Sequence, residues 1–266
     1  MGKIIGICNQ KGGTGKTTTA INFSSFLGLL DEKTLLIDMD PQGNASSGVG
    51  LDLEGKNSVY DLISGNVRAE EAIYPTAWPN LSVMPSDISL TGGEVEFVSL
   101  EEREVLLGQR LKDIKENYSY IVIDAPPSLG LLTVNVLSAA DSLIIPIQCE
   151  YYALEGVSKL IHTIELIKER LNPRLEIEGV LLTMADFRTR LTLQVIEEVR
   201  TYFKQKAFSI IVPRNVKLAE APSFGKPIYF YESSCVGSKA YLGLSNEVTG
   251  QTKKIEDFAK SEVKYG

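Results

Sequence analysis

Apolar residues gather in short dense runs separated by longer mixed stretches. Seven runs stand out: 3–8 (KIIGIC), 34–38 (TLLID), 81–86 (LSVMPS), 120–127 (YIVIDAPP), 141–147 (DSLIIPI), 175–184 (LEIEGVLLTM) and 208–213 (FSIIVP). They are too short for helices and rich in Ile, Val and Leu, so they predict strands buried on both faces, as in a parallel sheet. Between them lie helical patterns at 16–30, 101–116, 154–171, 192–204 and 237–248. The clearest is 154–171, where Val157, Leu160, Ile161, Ile164, Ile167 and Leu171 recur at steps of one, three and four and form one apolar stripe. Strands alternating with helices predict a layered α/β fold with a mostly parallel central sheet flanked by helices. The polar stretch 43–80 reads as an excursion from that sheet. With no repeat, low-complexity tract or long linker, the chain reads as one domain over 1–250 followed by a C-terminal tail, 251–266.

Composition narrows the function classes. A chain of 266 residues with 44% hydrophobic content can bury a full core. The three cysteines, Cys8, Cys149 and Cys235, form no CxxC pair and with one histidine offer no zinc set, so they read as reduced thiols. His162 falls within a helical pattern and reads as a helix-surface residue. No apolar run approaches the ~18 residues needed to span a bilayer, and the first strand begins at once, so neither a leader nor an anchor is expected. A net charge of −7 opposes a strongly basic nucleic-acid binder, although a local patch can exist on an acidic chain.

The chemistry concentrates in NQKGGTGKTTTA, residues 9–20. It joins the first predicted strand to the first predicted helix. A glycine-rich loop in that position aims successive backbone N–H groups inward, and the helix N-terminus adds partial positive charge, which together make an anion site. Gly15, Lys16 and Thr17 match the end of the phosphate-binding pattern G-x-x-x-x-G-K-[ST], but its first glycine falls on Gln10, and Lys11 opens the loop instead. Two apolar runs end in aspartate: Asp38 and Asp40 in LLIDMDPQGN, and Asp124 in IVIDAPPS. Carboxylates at the carboxyl ends of parallel strands stand where such folds bind ligands, and Mg²⁺ favours hard oxygen donors.

The lysine-first loop resembles the deviant Walker A motif, KGGxGKTT, of the ParA/MinD family of ATPases. DMDPQGN and IDAPPS are similar to that family's DxDPQGN and Walker B-type segments. The resemblance covers residues 3 to about 248 and is nearest to the Soj/ParA chromosome-partitioning subgroup, which lacks the extra N-terminal DNA-binding domain of longer plasmid relatives. It departs at Thr14, where Val is usual, and in FLGLLDEKT, where a glycine-containing turn is usual. It implies a three-layer P-loop NTPase fold and ATP and Mg²⁺ as cofactors. Lys11, Gly12, Gly13, Thr14, Gly15, Lys16, Thr17 and Thr18 would line the nucleotide, with Thr18 on the α-phosphate. Thr17 would ligate the metal directly, Asp124 would sit in its outer shell, and Asp38 would belong to its surroundings. Asp40 would orient the attacking water. Lys11 would cross a dimer interface to the partner's nucleotide, so Lys11, Lys16 and Asp40 form the implied catalytic set. Pro213 and Asn215, in IVPRNVKLAEAPSFGKPI, match positions near adenine, and GVLLTM (179–184) is similar to the strand preceding the base pocket.

The same resemblance implies an output. Members of the subgroup dimerise on ATP, bind DNA without sequence preference and are released by a ParB-type centromere-binding partner, so the expected location is cytoplasmic and nucleoid-associated. Candidate DNA contacts are Arg188, Arg190 and Lys217, with Arg200, Lys204, Lys206 and Lys239 as further cations, since non-specific binding runs on Lys and Arg to phosphate. The alternative is a MinD-like, membrane-associated spatial regulator of division. Its amphipathic C-terminal helix is poorly matched here, because Ile255, Phe258, Ala259 and Val263 make a thin stripe diluted by Glu256, Asp257 and Glu262.

Overall fold

A computed structural model describes residues 2–151 and 153–258. Its centre is an eight-stranded sheet of β1 (Lys3–Ile7), β2 (Thr34–Asp38), β3 (Tyr74–Pro75), β4 (Leu81–Met84), β5 (Tyr120–Asp124), β6 (Ser142–Gln148), β7 (Glu176–Ala185) and β8 (Ala207–Pro213). The order across the sheet is β3-β4-β2-β5-β1-β6-β7-β8. Every pairing is parallel except β3 with β4. All seven expected strands are present, and helices cover both faces, as expected of a three-layer P-loop fold.

The apolar runs explain the layering. Successive strand residues point to opposite faces. Ile4, Leu35, Ile37, Ile121, Ile123, Leu143 and Ile145 therefore join one buried cluster, while Ile5, Ile7, Leu36, Val122, Ile144 and Leu181 join the other. Over the second cluster lie the helices Lys16–Leu29 and Val236–Thr249, which contribute Phe23, Phe26, Leu27, Tyr241 and Leu244. The first is covered in part by Leu131–Ala139, Ala153–Arg170 and Arg190–Phe203. The stripe read on 154–171 is real: Val157, Leu160, Ile164 and Ile167 are buried, and His162 is exposed.

Three readings need correction. The helix expected over 101–116 is only Leu106–Leu111, followed by a 3-10 turn at Lys115–Asn117. Ahead of it the charged run 101–104 has no core to face, and Glu102 adopts φ 51°; helix begins where Leu106 and Leu107 can be buried. The stretch 43–80 leaves the sheet only as far as residue 73, because Tyr74–Pro75 return to the sheet edge as β3. Its helices Asn44–Gly48 and Val59–Ser64 return Ala45, Val59, Leu62 and Ile63 to the core, and β3 joins the sheet edge. Leu131–Ala139 was not anticipated, because LLTVNVLSA is apolar almost all round and carries no helical period. Of the expected tail, a short helix Ile255–Phe258 follows the left-handed Gly250 (φ 71°), and Phe258 is buried edge-on to Tyr229. Ala259, Val263 and the rest of 259–266 lie outside the described residues. No helix among the described residues is long and apolar enough to cross a membrane.

Candidate functional site

The glycine-rich loop hangs from the carboxyl end of β1, the strand flanked by β5 and β6. Its backbone turns through the left-handed region at Gly13 (φ 75°) and Gly15 (φ 88°), which a side chain would strain. Gly15 is the N-cap of the helix Lys16–Leu29 and supplies no side-chain cap. The first N–H groups of that helix are thus left for an anion. A Cβ added at Gly12 or Gly13 would meet nothing within 4 Å, so the loop's concave side is open.

Hydrogen bonds brace the loop from three directions. The Lys11 N–H donates to Asn9 Oδ1 (3.0 Å), and Asn9 Nδ2 donates to the Pro146 carbonyl at the end of β6 (2.7 Å). Thr183 Oγ1 on β7 donates to the Thr14 carbonyl (2.8 Å). Lys16 Nζ donates to the Lys11 carbonyl (3.1 Å), so the ammonium arches across the loop mouth. Burial lowers the Lys16 pKa, while the carboxylates of Asp124 and Asp40 oppose that shift. The buried Cys8 thiol is pushed up to about 12, which keeps it neutral. All three cysteines are free.

The three aspartates converge beside the loop. Asp38 and Asp124 are opposite each other in the β2–β5 register, and Ile7 of β1 faces Asp124 from the other side. Both carboxylates are fully buried. Asp38 has partners: its Oδ2 accepts from Ser46 N–H and Oγ (2.8 Å each), and its Oδ1 accepts from Asp40 N–H (3.1 Å). Burial still pushes its carboxyl up to about 6, against the pull of those bonds. Asp124 is different, since neither oxygen has a hydrogen-bond partner. Its pKa rises well above the usual carboxylate value, first from burial and then from the Asp38 charge; the neighbouring Thr17 hydroxyl and Lys16 oppose the shift. A buried carboxylate without a donor is costly unless something cationic belongs near it. Mg²⁺ fits this donor set. Among the described residues no group of three or more His, Cys, Asp and Glu side chains forms a complete protein cage, and Mg²⁺ bound through few carboxylates, water and phosphate needs none. Asp40 is half-buried, and its Oδ1 accepts from Gln42 N–H (3.0 Å) in the turn that Gly43 closes.

Beside the loop opens a cavity of about 320 Å³ lined mainly by apolar groups, among them Met184, Val212, Val216 and Leu218, with Gly15 and Thr18 at its phosphate end. Asn215 lines it and also caps the helix Val216–Glu220, accepting the Lys217 N–H on Oδ1 (2.8 Å); its amide NH₂ remains available to a ligand. Pro213 pairs with Ala185 at the sheet edge and is not among the lining residues. Met184, at φ 53°, and Arg214 line the cavity without having been singled out. GVLLTM pointed to the strand that carries Thr183 and Met184, but nothing in RN distinguished Arg214 from an ordinary surface charge.

The candidate DNA cations are less concentrated. Arg188 forms a bidentate pair with Asp186 (2.8 and 2.7 Å), and Lys217 pairs with Glu220 (2.9 Å) and lies over the Tyr231 ring. Arg190 is exposed at the start of its helix. Asn9, Ser46 and Glu150, the last paired with Lys11, also belong to the site's surroundings and were not anticipated.

Known proteins resemble this chain in sequence and in fold. Residues 2–177 match the family model of an AAA domain. The chain is 52% identical over 249 residues to the sporulation initiation inhibitor protein Soj of Bacillus subtilis, covering 93% of this chain and 98% of that one. It is equally identical, at 52% over 249 residues, to the chromosome partitioning protein ParA of Myxococcus xanthus, covering 93% and 88%. Among solved structures, cobyrinic acid a,c-diamide synthase from Mycobacterium smegmatis with bound ADP and magnesium superposes with a TM-score of 0.82 at 30% identity, covering 94% of each chain. One fold thus serves different outputs, so the fold alone does not separate partitioning from synthesis.

Proposed function

This chain belongs to the Soj/ParA family of chromosome-partitioning ATPases, and on that premise we propose that it is an ATP- and Mg²⁺-dependent DNA-segregation switch that dimerises on ATP. The observation that carries the reading is the phosphate loop standing beside a register-paired, buried Asp38–Asp124 couple, one member of which has no well-formed hydrogen bond on either oxygen. Lys16 would offset charge on the β- and γ-phosphates, and the open Gly12–Gly15 amides would hold their oxygens. Thr17 would ligate Mg²⁺ directly and Asp124 through water, with Asp38 held beside them by Ser46. Bound Mg²⁺ supplies Lewis-acid charge to the phosphate oxygens. Asp40, at the rim, would accept a hydrogen bond from the attacking water and aim it in line with the γ-phosphorus. Adenine would occupy the Met184–Asn215 cavity. Lys11 would reach the nucleotide of a second subunit and act there as an arginine finger does elsewhere.

The output of the dimer would be non-specific DNA binding in the cytoplasm on the nucleoid, reversed by hydrolysis under a ParB-type partner. The described part of the tail gives the membrane-associated alternative no support, since Phe258 packs into the core. DNA retention measured with ATP, ADP and no nucleotide tests the reading. ATP alone should retain DNA, with affinity falling steeply with salt. Arg190→Glu should weaken retention more than Lys217→Glu, because the Lys217 charge is already offset by Glu220. Equal retention in all three nucleotide states would refute the switch.

A further inference from the structure

The ion pair between Lys11 and Glu150 has no part in the scheme above. Glu150 lies two residues beyond β6, and β6 lies beside β1, so strand pairing brings it to the mouth of the loop. Its backbone is held there by two turns, Glu150 N–H to the Gln148 carbonyl (2.9 Å) and Ala153 N–H to the Glu150 carbonyl (3.0 Å). Lys11 is fixed in a complementary way. Its N–H is bound to Asn9, and its carbonyl accepts from Lys16 Nζ (3.1 Å) and Thr14 Oγ1 (3.4 Å). The backbone of Lys11 is thus pinned and its side chain is the movable part. That side chain ends on Glu150 of the same subunit, with both groups partly exposed, at 41% and 31%.

We propose that Glu150 is a positioning residue that holds the Lys11 ammonium on its own subunit until a second subunit presents a stronger anion. This rests on the reading that Lys11 acts in trans. A lysine already paired in cis must give up that pair to reach a partner's phosphate, so the pair opposes premature dimerisation. A triphosphate, with more charge than one carboxylate, wins the exchange. Half-exposed ion pairs are weak, holding their partners by a factor of about two to five, which suits a latch that must release.

The test reads Lys11 directly in the nucleotide-free protein. Amine acylation is followed by mass spectrometry, with the other lysines as internal standards, in the parent, Glu150→Gln and Glu150→Asp. Glu150→Gln should raise Lys11 labelling about two- to fivefold, and Glu150→Asp should restore protection at least in part. With ATP, Glu150→Gln should also dimerise at a protein concentration about two- to fivefold lower than the parent. Unchanged Lys11 labelling in Glu150→Gln would overturn the latch. So would raised labelling without easier dimerisation. A Lys11→Ala arm separates the two failures: if that variant dimerises and hydrolyses ATP as the parent does, the trans role of Lys11 is wrong, whatever Glu150 does.

Discussion

Replacing Asp124 by Asn should make the nucleotide-free protein more stable while disabling its response to Mg²⁺. Asp124 is fully buried, has no donor on either oxygen and lies in register with a second buried carboxylate. The scale of the penalty can be read from its neighbour. Asp38, pushed from 3.8 to about 6, carries a cost on the order of 3 kcal/mol when ionised at neutral pH, at 1.36 kcal/mol per pH unit. Asp124 is shifted in the same direction with fewer bonds to offset it. A neutral amide in its place still lacks partners, at a cost of about 1–3 kcal/mol, so on the Asp38 scale the net gain should be about 0–2 kcal/mol. The sign of the pH dependence follows from the raised pKa. The folded state holds the proton more tightly than the unfolded state, so the carboxylate lowers stability as pH rises from near 4 through the folded pKa. The advantage of Asp124→Asn should therefore be larger at pH 7.5 than at pH 5. Urea unfolding without nucleotide at both pH values measures it, and added Mg²⁺–ATP completes the assay. Saturating ligand at about 100 times its dissociation constant should stabilise the parent by about 2.7 kcal/mol and the variant by much less. A variant less stable than the parent at pH 7.5, or a difference that does not grow with pH, would refute the claim that this carboxylate is strained.

Two other substitutions probe separate parts of the argument. Asp40→Ala should retain ATP binding and the ATP-dependent dimer but lose turnover by about 100-fold or more, the usual yield of a positioned polar group; phosphate release at the parent rate would remove Asp40 from the mechanism. Gly28→Ala places a Cβ 2.2 Å from the Pro79 carbonyl oxygen, a backbone atom that cannot swing aside. It should cost about 2–3 kcal/mol and lower the melting temperature by about 4–12 °C without altering the nucleotide loop.

What could be read from the residues follows from which features are local. Glycines at 13 and 15, a lysine after them and aspartates closing apolar runs are properties of contiguous segments, and the loop and both carboxylates appeared where expected. The helices within 43–80 were not legible because they are five and six residues long, too short to show a period, and are held by tertiary burial of Ala45 and Leu62 rather than by propensity. The helix Leu131–Ala139 was hidden for the opposite reason, being apolar on nearly every side. Arg214 and Glu150 could not be found by motif at all, since each matters through what another strand places beside it.

Strand order was the decisive unknown, and it explains why the site works where it does. From β1 the chain crosses to β2 on one side, and from β5 it crosses back over β1 to β6 on the other. The connections diverge at the carboxyl end of β1, and a crevice opens there because no crossover covers it. The loop fills the floor of that crevice. β5 delivers Asp124 from one flank and β6 delivers Glu150 from the other, although the two are 26 residues apart in sequence and serve opposite purposes. The first carboxylate is buried with no well-formed hydrogen bond on either oxygen, so it gains from an arriving cation. The second is partly exposed and ion-paired, and it loses its lysine if that lysine acts on another subunit. A site flanked in this way couples ligand arrival to the release of one side chain, with no larger movement of the fold required.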